Sequence, residues 1–331
     1  MPRMANKPSA KQQAWPLFDA IVDRASSKAV NPWVGDKFEP DYDTLRTLLA
    51  VPLHLNATTR SGVPALALDV WVAYELRRAG LDADAVWPRA EAPRVVDKDV
   101  LKFVRAVPKK VREELTRRLG RGTGTGGVAT ASANIMGKNY LKQVDVIMTS
   151  WQTGPELLIS TKRMDSSFGK NAANRVEESY GDAKNLALRH PLAALGFVYS
   201  LRSTAHTEER KHFDWLVDLL TKLGREEDAY DACALIVPEW EGAAPADDGD
   251  DDEAVIEPDD VELEDAEEEV LDNLDERLAA LPQVRLRHDL VPNELDPARF
   301  FRVMLSIVLD NSTVAHHKEA RERRSNPAIR T

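Results

Sequence analysis

Two short apolar segments joined by a turn constrain this 331-residue chain more than any other feature. The first covers residues 143–148, the turn is built on Gly154-Pro155, and the second covers residues 156–162. Both segments are too short for stable helices, they contain several β-branched residues, and the Gly-Pro pair separates them. The pattern therefore predicts two adjacent buried strands.

An acid and a lysine stand out in these predicted strands. Asp145 lies in the first strand and Lys162 closes the second. Burying a lysine is costly unless an anionic group lies beside it, which makes Asp145 the expected partner. Alternation along the second strand predicts one face shared by Glu156, Leu158, Ser160 and Lys162. An aspartate and a lysine at one sheet edge can hold a divalent metal and a phosphate. Alternatively, Asp145 and Lys162 form a buried ion pair without catalytic function.

The composition indicates a globular protein with a sizeable core. The chain is 43% hydrophobic and long enough for one large or two modest domains. Its single cysteine, Cys233, lies in an apolar run and is interpreted as a buried structural thiol. The sequence has no run of about 18 apolar residues and no signal-type N-terminal segment, so we expect a cytoplasmic protein without a membrane partner.

The formal net charge of −11 conceals a basic body. Residues 247–276 contain 18 Asp or Glu and no Lys or Arg, so elsewhere 44 basic residues face 37 acidic ones, a net charge of +7. The acidic tract has too little apolar surface to fold alone and is predicted to be a disordered insertion. It is interpreted either as a solubility tether or as a DNA mimic that blocks a basic cleft.

The basic body favours a polyanionic ligand. The basic clusters near the two strands are Lys109-Lys110, Arg117-Arg118, Arg121, Lys138, Lys142, Arg163 and Lys170. The Gly-rich run at 121–127 lacks a Walker-type ending and a preceding strand, so a flexible loop is preferred to a phosphate-binding loop. The adjacent His316 and His317 point in different directions on a helix, so an exposed charged tail is preferred there to a metal site.

The rest of the pattern predicts alternating helices and strands. Helices are predicted at residues 42–49, 61–80, 97–106, 108–120 and 174–190, in a segment capped by Thr207, and from Asp296-Pro297 onward. Strands are predicted at residues 195–201, 232–237 and 284–287, and the first fifteen residues are predicted to be mobile. Such alternation is typical of an α/β layer architecture.

Four regions are predicted along the chain. Residues 1–95 form a mainly helical N-terminal region, and residues 96–242 form the α/β core. Residues 243–276 form the acidic insertion. Residues 277–331 supply a strand and a helix that pack on the core.

The order of these features resembles the PD-(D/E)xK nuclease superfamily, which includes many restriction endonucleases. The matching features are Asp145, the run Ser160-Thr161-Lys162, the helix from Asn174 and the strand from Leu195. They cover residues 138–201, under a quarter of the chain. The resemblance implies a restriction endonuclease-like fold, with a mixed β-sheet flanked by helices, an N-terminal helical extension and a C-terminal helix.

The chain departs from the family pattern at two positions. No proline precedes Asp145, and Ser160 occupies the usual position of the second acid. Some members with Ser-x-Lys take the missing carboxylate from the following helix. Glu177 lies 15 residues past Lys162, at the predicted edge of that helix's inner face, and is identified as the migrated acid. Glu156 is the second candidate.

The family's opening helix often supplies a further acid. Spacing alone leaves four candidates open, namely Asp69, Glu75, Glu113 and Glu114. Asp69 is favoured because it lies among apolar residues, where an unpaired acid is hard to tolerate.

The resemblance implies a restriction-type DNA endonuclease that depends on Mg²⁺, with Mn²⁺ as a substitute. Asp145, Glu177 and Asp69 would bind the metal, Lys162 would orient or deprotonate the attacking water, and Ser160 would hydrogen-bond a metal-bound water. Double-stranded DNA is the expected partner, and the chain is expected to be compatible with a homodimer. The alternative is a catalytically inactive nuclease-fold protein that binds nucleic acid or a protein partner.

Overall fold

The computed structural model describes residues 8–120, 129–130, 133–166, 168–226, 229–244 and 273–327. Its helices are α1 (Ala10–Ser26), α2 (Tyr42–His54), α3 (Val63–Arg78), α4 (Lys98–Ala106), α5 (Lys109–Gly120), α6 (Phe168–Ala187), α7 (Thr204–Glu208), α8 (Arg210–Leu223), α9 (Leu274–Ala279), α10 (Pro297–Asn311) and α11 (Lys318–Ser325). Its strands are β1 (Trp33–Val34), β2 (Lys37–Phe38), β3 (Val86–Trp87), β4 (Val95–Val96), β5 (Ala129–Thr130), β6 (Ala133–Met136), β7 (Leu141–Val144), β8 (Val146–Ser150), β9 (Gly154–Met164), β10 (Ala194–Leu201), β11 (Ala232–Ile236), β12 (Pro238–Glu239) and β13 (Arg285–Leu286). No helix in these ranges is long and apolar enough to cross a membrane.

A five-stranded mixed sheet with the order β11-β10-β9-β8-β3 forms the centre of the protein. Strands β9, β10 and β11 are parallel to one another, β8 is antiparallel to β9, and β3 is antiparallel to β8. The strands predicted from residues 143–148 and 156–162 are therefore neighbours, as expected. Helices pack on both faces of the sheet, which confirms the α/β class.

The two faces of the sheet contribute to different cores because side chains alternate along β9. Leu157 and Ile159 pack in a core shared with α1, α2, α3 and α10. Leu158 packs in a second core shared with α6 and α8. The predicted alternation is confirmed, and it sends the neighbours Thr161 and Lys162 to opposite faces.

The N-terminal helices belong to the same core as the sheet. Phe18 of α1, Leu48 of α2 and Trp71 of α3 are fully buried in one cluster with Ile159. Strand β3, which lies before residue 95, pairs with β8 in the central sheet. The boundary predicted at residue 95 therefore does not separate two cores.

Two segments are more helical than the sequence pattern predicts. The first fifteen residues are not all mobile, because α1 begins at Ala10. Ser9 and Gln12 form a capping box there, which satisfies backbone donors at the start of the helix. Helix α6 begins at Phe168, six residues before the predicted start at Asn174.

The predicted acidic insertion ends earlier than residue 276. Helix α9 begins at Leu274, and Asp275 on its first turn forms an ion pair with Arg24 of α1. Residues 245–272 of the acidic tract and residues 121–127 of the Gly-rich run lie outside the described residues.

Gly80 allows the C-terminal helix α11 to lie against the end of α3. Its φ is +95°, which residues with a side chain rarely adopt, and a Cβ there would lie 2.8 Å from the backbone nitrogen of Ala320. We expect Gly80→Ala to lower the free energy of unfolding by about 1–3 kcal/mol, as measured by chemical denaturation. Gly154→Ala is the matched control, because Gly154 also has a positive φ but faces open space. Equal losses in the two variants would contradict a close contact between Gly80 and α11.

Candidate active site

Asp145 lies where the hydrogen-bonded ladder between β8 and β9 ends. The last paired residues there are Val146 and Ile159, whereas β9 continues to Met164. The backbone N–H of Thr161 donates to Oδ2 of Asp145 at 2.8 Å. The carboxylate thus replaces the missing backbone acceptor, because a buried N–H without an acceptor is costly.

Asp69 reaches the same threonine from the helix that covers this face. Helix α3 packs against β9, and the hydroxyl of Thr161 donates to Oδ1 of Asp69 at 2.5 Å. Thr161 therefore holds two carboxylates, Asp145 through its backbone and Asp69 through its side chain. Sequence reasoning identified both acids but missed Thr161, because an isolated threonine in a strand carries no signal beyond β propensity.

Burial raises the pKa of both carboxyl groups, and the charge of Asp145 adds to the rise at Asp69. The pKa of Asp69 lies well above its ordinary value, first because burial disfavours the charged form and second because of the negative charge of Asp145. Burial also raises the pKa of Asp145, against the opposing positive charge of Lys162. The fold therefore holds two acids close together at a cost in free energy, which is typical of a functional site.

Lys162 follows Thr161 on β9 and retains part of its solvent exposure. Its positive charge lowers the pKa of both Asp69 and Asp145. A purely structural role for Lys162 would favour a direct ion pair with Asp145. Among the described residues, Lys162 and Asp145 do not form one. The ammonium group is therefore near both acids without being neutralised by either.

Ser160 has a partner within the fold. It is buried, and it hydrogen-bonds the hydroxyl of Tyr230. The Tyr230 hydroxyl in turn donates to the carbonyl oxygen of Ser179 at 2.8 Å. This contact joins β9 to α6, and it gives Ser160 a packing role on the Lys162 face of the strand.

The expectation that Glu177 faces the sheet is wrong. Ser179, Ala183 and Leu186 mark the buried face of α6, and Glu177 is exposed on the opposite side of the helix. The acid of α6 whose charge acts on Asp145 is Asp182.

Asp182 is largely buried and already partnered. It forms an ion pair with Lys142 of β7, and it accepts a hydrogen bond from the Tyr140 hydroxyl at 3.0 Å. Lys142 also lowers the pKa of Asp145. This neutral pair borders the site; Lys142 is one of the basic residues noted near the two strands, whereas Asp182 was not predicted.

Glu156 lies at the other end of β9, away from Asp145. Its two carboxylate oxygens lie 2.8 Å from Nε2 of His317 and 2.8 Å from the Thr153 hydroxyl. These partners lower the pKa of Glu156 despite its burial. The prediction of an exposed tail at His317 is therefore wrong, because the His317 side chain is only 9% exposed.

The other acids considered on the flanking helices have structural partners. Glu75 is buried, lies 2.7 Å from Arg78 and accepts a hydrogen bond from the Asp41 backbone at 2.6 Å. Burial raises the pKa of Glu75 to about 7 against the lowering effect of Arg78. On α5, Glu113 is exposed and Glu114 is partly exposed, and both form ion pairs with basic residues of the same helix. Of these candidates from the helices, only Asp69 lies beside Asp145.

The donors at this site fit a divalent cation. Mg²⁺ is commonly bound by one or two protein carboxylates, with waters and substrate oxygens as the other ligands. Asp69 and Asp145 supply two carboxylates, and a dication would relieve their repulsion. The described residues contain no group of three or more acidic, histidine or cysteine side chains arranged to hold a metal. Asp69 and Asp145 are the residues that could hold such an ion.

Comparison with known proteins gave no match. No protein-family model, no curated protein and no solved structure matched this chain.

Proposed function

We propose that the protein is a metal-dependent endonuclease, of the restriction type, that hydrolyses phosphodiester bonds in double-stranded DNA. The observation that carries the proposal is the pair of carboxylates of Asp69 and Asp145 held by Thr161, with Lys162 beside them. The site lies at the edge of a mixed sheet flanked by helices. This arrangement supports a restriction endonuclease-like fold within the α/β class.

Each residue at the site has a distinct task in the proposed reaction. Asp69 and Asp145 would hold Mg²⁺, which when bound would supply positive charge to the phosphoryl oxygens and lower the pKa of water. Lys162 orients the attacking water and offsets the charge that develops on the phosphate. Thr161 fixes the two carboxylates relative to β9, so the site is formed before substrate binds.

A basic helical hairpin supplies a surface for the DNA backbone. Helices α4 and α5 pack on each other through a small separate cluster that includes Leu101, Val104 and Leu119. Residues 97–119 contain eight Lys or Arg and four Asp or Glu, and most of these charged side chains are exposed. A net positive, exposed hairpin favours contact with phosphates, and DNA binding through it would weaken as salt is added.

Cleavage assays with the full chain test the proposal. Supercoiled and linear double-stranded DNA are incubated with purified protein in Mg²⁺, in Mn²⁺ and in a chelator. We expect cleavage with either metal and none in the chelator. A protein that binds DNA but leaves it intact under all three conditions would contradict the nuclease proposal.

A DNA-binding protein without catalysis is the second candidate. The exposed position of Glu177 favours it, because two carboxylates rather than three then remain at the site. This candidate predicts an affinity for DNA that is the same with Mg²⁺ and with chelator. The nuclease predicts tighter binding with metal, since the dication screens the two acids from the phosphate.

A further inference from the structure

A second group of polar side chains lies at the carboxyl ends of β9 and β10. Arg163 comes two residues after Thr161, so it lies on the same face of β9, about 7 Å further along. Ser200 of β10 is its direct neighbour in the parallel register. Arg202 follows Ser200 by two residues and lies just past the end of β10.

The indole of Trp240 joins the two arginines of this group. The guanidinium carbon of Arg202 lies 4.2 Å from the ring centroid of Trp240, and that of Arg163 lies 5.5 Å from it. Arg163, Ser200 and Arg202 are all buried, and the Arg163 side chain is only 1% exposed. Two positive charges are thus held inside the protein beside one aromatic ring.

Five polar atoms of these residues have no hydrogen-bond partner within the described part of the chain. They are Nη1 and Nη2 of Arg163, Nε of Arg202, Oγ of Ser200 and Nε1 of Trp240. The Nε of Arg163 donates to Asp165 at 3.0 Å, and Nη2 of Arg202 donates to the Trp240 carbonyl at 3.3 Å. Each arginine is therefore held in place by at least one hydrogen bond, while the two terminal nitrogens of Arg163 remain available to an acceptor.

Unpaired buried polar atoms are uncommon, and a cluster of them has a physical meaning. Each buried donor without an acceptor destabilises the folded protein, and more so when it is charged. All five atoms can donate, and four of them can only donate. An acceptor with several oxygens satisfies such a set, and the open arginine fork matches the spacing of two phosphate or carboxylate oxygens.

The local charge also favours an anion. Asp165 neutralises Arg163 by direct contact. The charges of Asp165 and Glu208 act on Arg202, but burial and the charge of Arg163 lower the pKa of its guanidinium. A bound anion would supply the second negative charge that the two arginines require.

We propose that Arg163, Ser200, Arg202 and Trp240 form a binding site for a phosphate group. The site lies at the carboxyl ends of parallel strands, where ligands of α/β proteins commonly bind. It shares a face of the sheet with Asp69 but uses none of the residues that hold the two carboxylates. The inference therefore stands independently of the proposed nuclease activity.

A phosphate group can come from two sources, inorganic phosphate or the terminal phosphate of a nucleic acid strand. Calorimetric titrations of the full chain with inorganic phosphate, with a 5′-phosphorylated oligonucleotide and with the same oligonucleotide ending in a hydroxyl distinguish them. Either saturable binding of inorganic phosphate or a preference for the phosphorylated strand supports the site. Absence of both would overturn it.

Substitutions at the two arginines test whether phosphate binds at the proposed site. We expect Arg163→Met and Arg202→Met each to weaken phosphate binding about tenfold or more, because each removes charge-assisted hydrogen bonds. Arg89→Met is the matched control. Arg89 is also buried, but its terminal nitrogens donate hydrogen bonds to Asp84 and to the carbonyl oxygens of Glu91 and Pro93. Equal affinity in the wild type and both site variants would overturn the proposal.

Ser200→Ala tests the phosphate site even if the arginine variants do not fold. The Ser200 hydroxyl has no hydrogen-bond partner among the residues that the structure describes, so the variant should fold as stably as the wild type in phosphate-free buffer. We expect it to bind phosphate several-fold more weakly, and an unchanged affinity would contradict the site. Asp145→Asn should still bind inorganic phosphate, which separates a failure of this site from a failure of the nuclease proposal.

Discussion

Replacing Lys162 with methionine is expected to slow DNA cleavage about 10²–10⁴-fold without unfolding the protein. Methionine keeps an unbranched stem, and Lys162 is partly exposed, so the change removes the ammonium group and little packing. The rate falls because the attacking water loses its positioning group and the phosphate loses a positive charge. Single-turnover cleavage of a labelled duplex in Mg²⁺ measures the effect.

Glu156→Gln is the matched control for Lys162→Met. It changes a charged residue of the same strand, but at the end where Glu156 pairs with His317. We expect this variant to cleave at close to the wild-type rate. If Lys162→Met cleaved as fast as Glu156→Gln, with circular dichroism showing both folded, Lys162 would have no part in the reaction.

Asp69→Asn is expected to abolish cleavage and, without metal, to stabilise the protein. Asparagine has nearly the same shape and can still accept the hydrogen bond from Thr161 through its side-chain oxygen. The variant loses the buried negative charge that Asp145 repels. Because the folded-state pKa of Asp69 is raised, we expect the free energy of unfolding of the variant at neutral pH to exceed that of the wild type.

The pH dependence of this gain follows from the direction of the pKa shift. The folded-state pKa of Asp69 is raised, so its contribution to stability is fully present below the unfolded pKa of about 3.9 and is lost as pH rises through the folded pKa. The variant has no such group to titrate. The difference between the two unfolding free energies should therefore shrink as pH is lowered through that range.

Metal should reverse the order of stability. Binding of Mg²⁺ to the folded state alone raises the free energy of unfolding, and the wild type has two carboxylates to bind it where Asp69→Asn has one. Denaturant titrations with chelator and with Mg²⁺, at several pH values, measure both effects. A variant less stable than the wild type under all conditions would show that the charge of Asp69 is needed for folding rather than for metal binding.

The parts of the site that lie in one strand could be predicted from the sequence. The period of two along residues 156–162 and the turn before it are local signals, so the placement of Lys162 followed from them. Asp69 could be singled out because an acid among apolar residues needs a partner. Both predictions depended on short-range chemistry rather than on how distant elements meet.

The parts that depend on how elements meet could not be predicted. Thr161 bridges the two acids because β8 ends before β9, and no sequence pattern gives that offset. Glu177 was expected at the edge of the inner face of α6, whereas Ser179, Ala183 and Leu186 define the buried face of that helix and Glu177 is exposed. The partner of Glu156 is His317, which lies far along the chain, and only tertiary packing brings the two side chains together.

A crystal of the full chain soaked in Mn²⁺ tests the central claim most directly. Anomalous scattering locates the ion without reference to activity. The account predicts a single strong peak between the carboxylates of Asp69 and Asp145, and no such peak in Asp145→Asn. An ion bound elsewhere, or none between these two acids in the wild type, would contradict it.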